Sequence, residues 1–176
     1  GIKESKYPWI FFMDSDNQIV FFLANRDFRD EEYTDTKDVL DQYAIGSKIA
    51  AVEHGECLGA TGLRLVVDLT VDQINIDQFN GIVFVGGTGS EQFLNDISVQ
   101  TLAKSFLDAG KVVAAICWAP AMLSNAGLLK GKKATVWSGA KSDIIKGGAN
   151  YTAESVTFDG NIVTGEVSLV GPDIRR

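Results

Sequence analysis

Apolar residues along the chain fall into short continuous runs, separated by stretches in which apolar and polar positions interleave. Residues 19–23 (IVFFL), 82–85 (IVFV) and 112–116 (VVAAI) are apolar at every position. That pattern marks parallel strands covered on both faces. Residues 47–52 read as a further strand and 63–67 as a short β segment. Between the runs the period changes. Val99, Leu102, Ala103, Phe106 and Leu107 lie at i, i+3, i+4, i+7 and i+8, one apolar face of a helix that Gly110 stops. The polar stretch RDFRDEEY reads as a loop, with a helix starting near Asp30 and running to about Tyr43. Residues 119–126 read as a helix with Pro120 in its first turn and Gly127 as its stop. Further on, 134–137 reads as a strand and 143–146 as one helical turn. Residues 156–158 and 162–164 flank Asp159-Gly160-Asn161 as a hairpin, and the chain runs on through 167–170. Strand alternating with helix predicts right-handed βαβ units, and so an α/β fold: a mostly parallel sheet with helices on both faces.

Ligands of such sheets sit beyond the carboxyl ends of the strands. The loops 24–32 and 86–90 (GGTGS) and the residue Cys117 all lie at such ends, so three distant segments should meet at one pocket. Cys117 falls on the corner between a strand and a helix, the cysteine version of a nucleophile elbow, with Ala115 and Ala119 where the serine consensus has glycines. Unpartnered N–H groups and the helix dipole at that corner predict a thiol pKa below the usual value of about 8.5. The pattern alone equally allows a small buried cysteine that only fills the end of a strand.

Length and charge narrow the picture. The chain has 176 residues, 45% of them hydrophobic, enough for one domain with a full core. No run reaches the roughly 18 apolar residues of a membrane span. The apolar patch 9–13 is not followed by a small-residue cleavage site, so no signal peptide is expected and the expected location is cytoplasmic. A net charge of −7 without a basic stripe speaks against nucleic acid or an anionic membrane as partner. Two cysteines (Cys57 and Cys117) and one histidine (His54) make neither a disulfide scaffold nor a zinc pattern, so no metal and no cofactor is expected. Residues 1–18 read as an extension of unclear role, in which 9–13 could form an extra strand, ahead of a domain over 19–176.

The segments AAICWAPAMLSNAGLLKGKKATVW, VVDLTVDQINIDQFNGIVFVGGTG, NDISVQTLAKSFLDAGKVVAAIC and NRDFRDEEY all occur between residues 19 and 167, in the order the family has them, and together they resemble the PfpI/ThiJ superfamily. That superfamily includes intracellular protease/amidase proteins and the Parkinson-associated protein deglycase, and it shares the class I glutamine amidotransferase-like fold. The resemblance implies a flavodoxin-like three-layer sandwich. It also implies site residues: Cys117 as elbow cysteine, Glu32 as the acidic residue approaching it, and Gly87 with the main-chain N–H of Trp118 as oxyanion donors. An ionised Glu32 would raise the thiol pKa, so the pair should work with Glu32 protonated and titrate jointly. Trp137, Thr88 and Asn25 are expected around the pocket, although core filling is the favoured reading of Trp137.

Departures from the family matter as much. Protease-like members carry His directly after the cysteine, where this chain has Trp118; deglycase-like members carry His after the elbow helix, where it has Trp137. His54 is read as a surface or subunit-contact residue. Peptide hydrolysis is therefore disfavoured, because amide cleavage needs an acid for the leaving nitrogen. Addition of the thiolate to a small carbonyl compound survives better, with Glu32 shuttling the proton. Oxidation of Cys117 in a redox-sensing protein, or a non-catalytic dimer, are the alternatives. A carbonyl substrate or an oxidant is thus the expected small-molecule partner. Glu166 stands roughly where the family carries Arg or Ser, and the usual terminal helix is not found after GPDIRR. Either an apolar patch is left open there or something covers it, with residues 9–12 of this chain or of a partner as a candidate cover; such patches and the dimers common in the family imply a homodimer or higher homo-oligomer.

Overall fold

The computed structural model describes residues 18–170. The readings of 9–13 as a strand and of the chain after 170 lie outside these residues. Seven strands form the central sheet: β1 (Gln18–Phe22), β3 (Gly46–Ala51), β6 (Leu69–Thr70), β7 (Gly81–Phe84), β8 (Val112–Ile116), β11 (Val156–Asp159) and β12 (Ile162–Gly165). Their order is β11-β12-β8-β7-β1-β3-β6, and every neighbouring pair is parallel except the β11–β12 hairpin. Two short sheets flank it. One joins β2 (Arg26–Phe28), β4 (Glu56–Gly59) and β5 (Arg64–Val66); the other pairs β9 (Lys133–Ala134) with β10 (Asn150–Tyr151).

The alternation of side chains along β1 explains the layering. Ile19, Phe21 and Leu23 point to one face, where they pack with Tyr33, Val39 and Leu40 of α1 (Asp30–Gln42). Val20, Phe22 and Ala24 point to the other. There they meet Leu102 and Phe106 of α2 (Ile97–Asp108), Met122 and Leu123 of α3 (Pro120–Asn125), and Ile144 of α4 (Lys141–Lys146). A strand with an apolar residue at every position therefore serves two cores at once. The result is a mostly parallel, flavodoxin-like α/β sandwich, as expected from the sequence. No helix among the described residues is long and apolar enough to cross a membrane.

The apolar periodicity of residues 99–107 does lie on a helix, which begins at Ile97 because Asp96 caps it. Its side chain accepts a hydrogen bond from the Val99 N–H at 3.1 Å. Asp96→Ala is expected to cost about 1 kcal/mol in chemical denaturation, with an unchanged slope.

Two expectations need correction. Residues 26–28, read as loop, form β2, because Phe28 turns into the α1-side core while Arg26 and Asp27 stay exposed. The stretch 134–137 is not a strand throughout: pairing ends at Ala134, and the Trp137 N–H leaves the ladder to donate to the Cys117 carbonyl at 2.8 Å. Glu56–Gly59 adds the strand β4, which the apolar pattern does not signal.

Candidate active site

β8, β7 and β1 are neighbours, so the loops after their carboxyl ends lie side by side. Cys117 follows β8 directly and has φ +62°, a left-handed backbone rare outside glycine. Its N–H donates to the Gly165 carbonyl of β12 at 2.8 Å and its own carbonyl accepts from Trp137, so both sides of the corner are tied down. Such a strained residue persists only where its surroundings hold it. The sulfur faces the N–H groups of Gly87 and Trp118, which both donate toward it.

Glu32 comes to this point from the first turn of α1. Its side chain is buried, with 1% of the residue's surface exposed. Oε1 accepts from the Gly86 N–H at 2.7 Å; Oε2 has no hydrogen bond of full geometry, and the Cys117 thiol is the polar group set against the carboxyl. The nearest cation, Arg29 Nε, is 3.9 Å from Oε2 and is itself bonded to Glu31. Burial pushes the Glu32 pKa up to about 8, against the lowering influence of the Gly86 N–H and the Arg29 charge. At neutral pH the carboxyl is therefore largely protonated.

The thiol departs from the reading made on its position. Burial raises its pKa, with a further push from the negative charge of an ionised Glu32; Arg29 and the Gly87 and Trp118 amides pull the other way. The helix-start argument fails here because α3 has only six residues and Cys117 keeps only 7% of its surface exposed. A short helix offers a small dipole, whereas desolvation of a thiolate is large.

A cleft of about 360 Å³ opens over the sulfur. Its wall includes Arg29, Asp30, Thr61, Gly87, Thr88, Trp118 and Trp137. Thr88 and Trp137 both lie on this wall, and Trp137 is not core filling: it is 38% exposed and tilts against Trp118 with 5.6 Å between ring centroids. Asn25 is a correction, since it is not on the cleft wall. Its amide braces the neighbouring loop, donating to the Glu53 carbonyl at 3.0 Å and accepting from the Glu53 N–H at 3.1 Å. His54 lies exposed in that loop and also stays off the wall. No group of three or more metal-ligating side chains occurs among the described residues.

Sequence reasoning missed Arg29, Asp30 and Thr61. Asp30 is buried and accepts from the Thr61 hydroxyl at 2.7 Å, the Thr61 N–H at 3.2 Å and the Leu63 N–H at 2.9 Å. Burial opposes its ionisation, but these donors outweigh it and hold the carboxyl below its ordinary range. The bonds fasten the 60–63 loop over the start of α1 and so shape one side of the cleft. A cation three residues before the acid that the family resemblance singles out was the available signal for Arg29.

The chain as a whole is similar to known proteins. An uncharacterized protein of Methanocaldococcus jannaschii is 36% identical over 162 residues, covering 90% of this chain and 77% of its own. A protein named Deglycase PfpI, from Pyrococcus furiosus, is 36% identical over 146 residues, covering 82% of this chain and 87% of its own. The crystal structure of a ThiJ/PfpI domain protein from Brachyspira murdochii superposes with a TM-score of 0.83 at 33% identity, covering 85% of this chain and 86% of that one. A sequence profile of the DJ-1/PfpI family matches residues 17–173, a span that takes in every strand of the central sheet and all the loops that meet at Cys117: the chain belongs to the DJ-1/PfpI family.

Proposed function

We propose that the protein is a cysteine-dependent enzyme that acts on small carbonyl compounds of the α-oxoaldehyde class, in a glyoxalase- or deglycase-like reaction. The observation that carries this reading is a buried carboxyl that titrates near neutrality, held against the Cys117 sulfur at the floor of an open cleft. A group with a pKa close to the working pH can both take and return a proton, which is what the missing histidines would otherwise do.

The steps follow from these positions. Glu32 in its ionised form takes the thiol proton as sulfur bonds to the aldehyde carbon, and the carbonyl oxygen develops negative charge beside the Gly87 and Trp118 amides. Protonated Glu32 then gives that proton to the oxygen, leaving a hemithioacetal. Moving the carbinol C–H hydrogen to the adjacent carbon as a proton, again through Glu32, while the hydroxyl proton passes to the neighbouring carbonyl oxygen, turns the hemithioacetal into the thioester of a 2-hydroxy acid. Water cleaves the thioester. The balance is one oxoaldehyde plus one water to one 2-hydroxy acid, with the thiol regenerated and no external oxidant.

The test is turnover of methylglyoxal to lactate, followed by NMR, with Cys117→Ser as background. Lactate above that background is the expected result. No lactate, together with a peroxide-dependent mass gain at Cys117, would move the reading to a redox-sensing protein.

A further inference from the structure

Part of the cleft wall is aromatic and held in place by backbone. The Trp118 ring follows the reacting cysteine by one peptide bond. Trp137 is tied to the same residue, because its N–H donates to the Cys117 carbonyl. The outer edge of the Trp137 indole lies over Gly139: a Cβ there would come within 2.3–2.5 Å of ring carbons Cη2, Cζ2 and Cζ3. A residue without a side chain thus provides the seat on which an exposed indole lies. The two rings, tilted 60° to each other, form a fixed apolar surface beside the sulfur. Arg29, Asp30, Glu31, Thr61 and Thr88 supply the polar part of the wall. A cleft of about 360 Å³ has room for a ring and a dicarbonyl together.

We propose, building on the carbonyl-addition reading above, that Trp118 and Trp137 form an aryl subsite, and that the favoured substrates are α-oxoaldehydes bearing a planar aromatic group. Aromatic rings gain from tilted and offset contact beyond the area they bury, and a methyl group gains little from it. The reaction keeps its balance: an arylglyoxal plus water gives the aryl 2-hydroxy acid.

Two measurements test this. The first is the ratio of kcat/KM for phenylglyoxal over methylglyoxal. The intact protein is expected to favour phenylglyoxal at least about tenfold. Trp137→Ala should lower the ratio of phenylglyoxal to methylglyoxal about tenfold. Gly139→Ala keeps the indole but unseats it, and should lower the ratio in the same direction. Equal losses on both substrates, or no loss, would overturn the subsite. The second needs no turnover: binding of the inert ketones acetophenone and acetone to the intact protein, by saturation-transfer NMR. Acetophenone is expected to bind, acetone much more weakly, and Trp137→Ala to abolish the difference. If no oxoaldehyde is turned over and this difference still appears, the proposed reaction fails and the aryl subsite stands. If acetophenone does not bind, or binds Trp137→Ala equally well, the subsite is refuted whatever the reaction.

Discussion

Glu32→Gln is expected to speed alkylation of Cys117 at about pH 10 while slowing methylglyoxal turnover at least about 100-fold, two opposite effects of a single group exchange. Both follow from the pair. In the intact protein the first proton lost from Glu32 and Cys117 together comes off near pH 8, mostly from Glu32. Above that pH the carboxylate opposes a second negative charge on the sulfur, so the alkylation rate should rise to about pH 8 and then level off. The amide of the Glu32→Gln variant carries no charge, the repulsion disappears, and the rate should rise through one transition without that plateau. That amide can neither take nor return a proton, so catalysis falls. Intact-mass alkylation kinetics need mapping to the peptide, because Cys57 is also present, buried, with its thiol pushed up to about 11. Slower or equal alkylation of the variant at about pH 10 would show that the two groups are not electrostatically paired.

The same exchange should change stability with pH. Between 4.5, the ordinary value of a Glu carboxyl, and about 8 the folded protein holds a proton that the unfolded chain has lost. Stability therefore falls as pH rises across that window: it is full below the lower value and lost as pH passes the upper one. The difference of pKa corresponds to roughly 5 kcal/mol. Glu32→Gln has no proton to lose, so its urea midpoint should stay nearly level over the window while that of the intact protein drops. Parallel curves would mean that Glu32 is ionised in the folded state at neutral pH.

How far the sequence carried these conclusions varied with how local each signal was. Residues 19–23, 82–85 and 112–116 were legible as strands because burial on both faces leaves no polar position to blur the run. β2 and β4 were not, since each turns only one or two residues into a core and the rest face outward or half-outward. Cys117 was legible from its corner between strand and helix, whereas Glu32 was singled out among neighbouring acids only through the family resemblance. Spacing cannot show that α1 turns this one carboxyl inward under Gly86. The upward shift of the thiol was hidden for the same reason: it depends on how deeply the corner is buried, and depth is set by segments remote in the chain. Asn25 looked like a pocket residue because it follows the end of β1, but its amide is taken up by the 53–56 loop, whose path no local pattern encodes.

Gly86→Ala is expected to disable the site without replacing either member of the Cys117–Glu32 pair. The backbone conformation of Gly86 is open to any residue, so the effect is one of space alone. A Cβ there would lie 2.6 Å from the Ile116 carbonyl oxygen, 2.9 Å from the Cys117 Cβ and 3.0 Å from Glu32 Oε1. Two of these neighbours belong to the rigid end of β8 and cannot swing aside. The end of β7 must then move away from β8, and the N–H that holds Glu32 moves with it. Overpacking of this kind costs about 1–3 kcal/mol, which in a chain of this size lowers Tm by roughly 3–10 °C. A displacement near 1 Å of the carboxyl from the sulfur would cost about 100-fold in kcat/KM. Gly46→Ala is the control. The nearest atom to its Cβ is 3.4 Å away, on the flexible Gln18 side chain, and both quantities should stay close to those of the intact protein. The two variants add the same methyl group, one just past the end of β7 and one at the start of β3, and crowding at the meeting point of Cys117 and Glu32 is what separates them. A Gly86→Ala protein with unchanged Tm and turnover would mean that the two groups do not depend on this close approach.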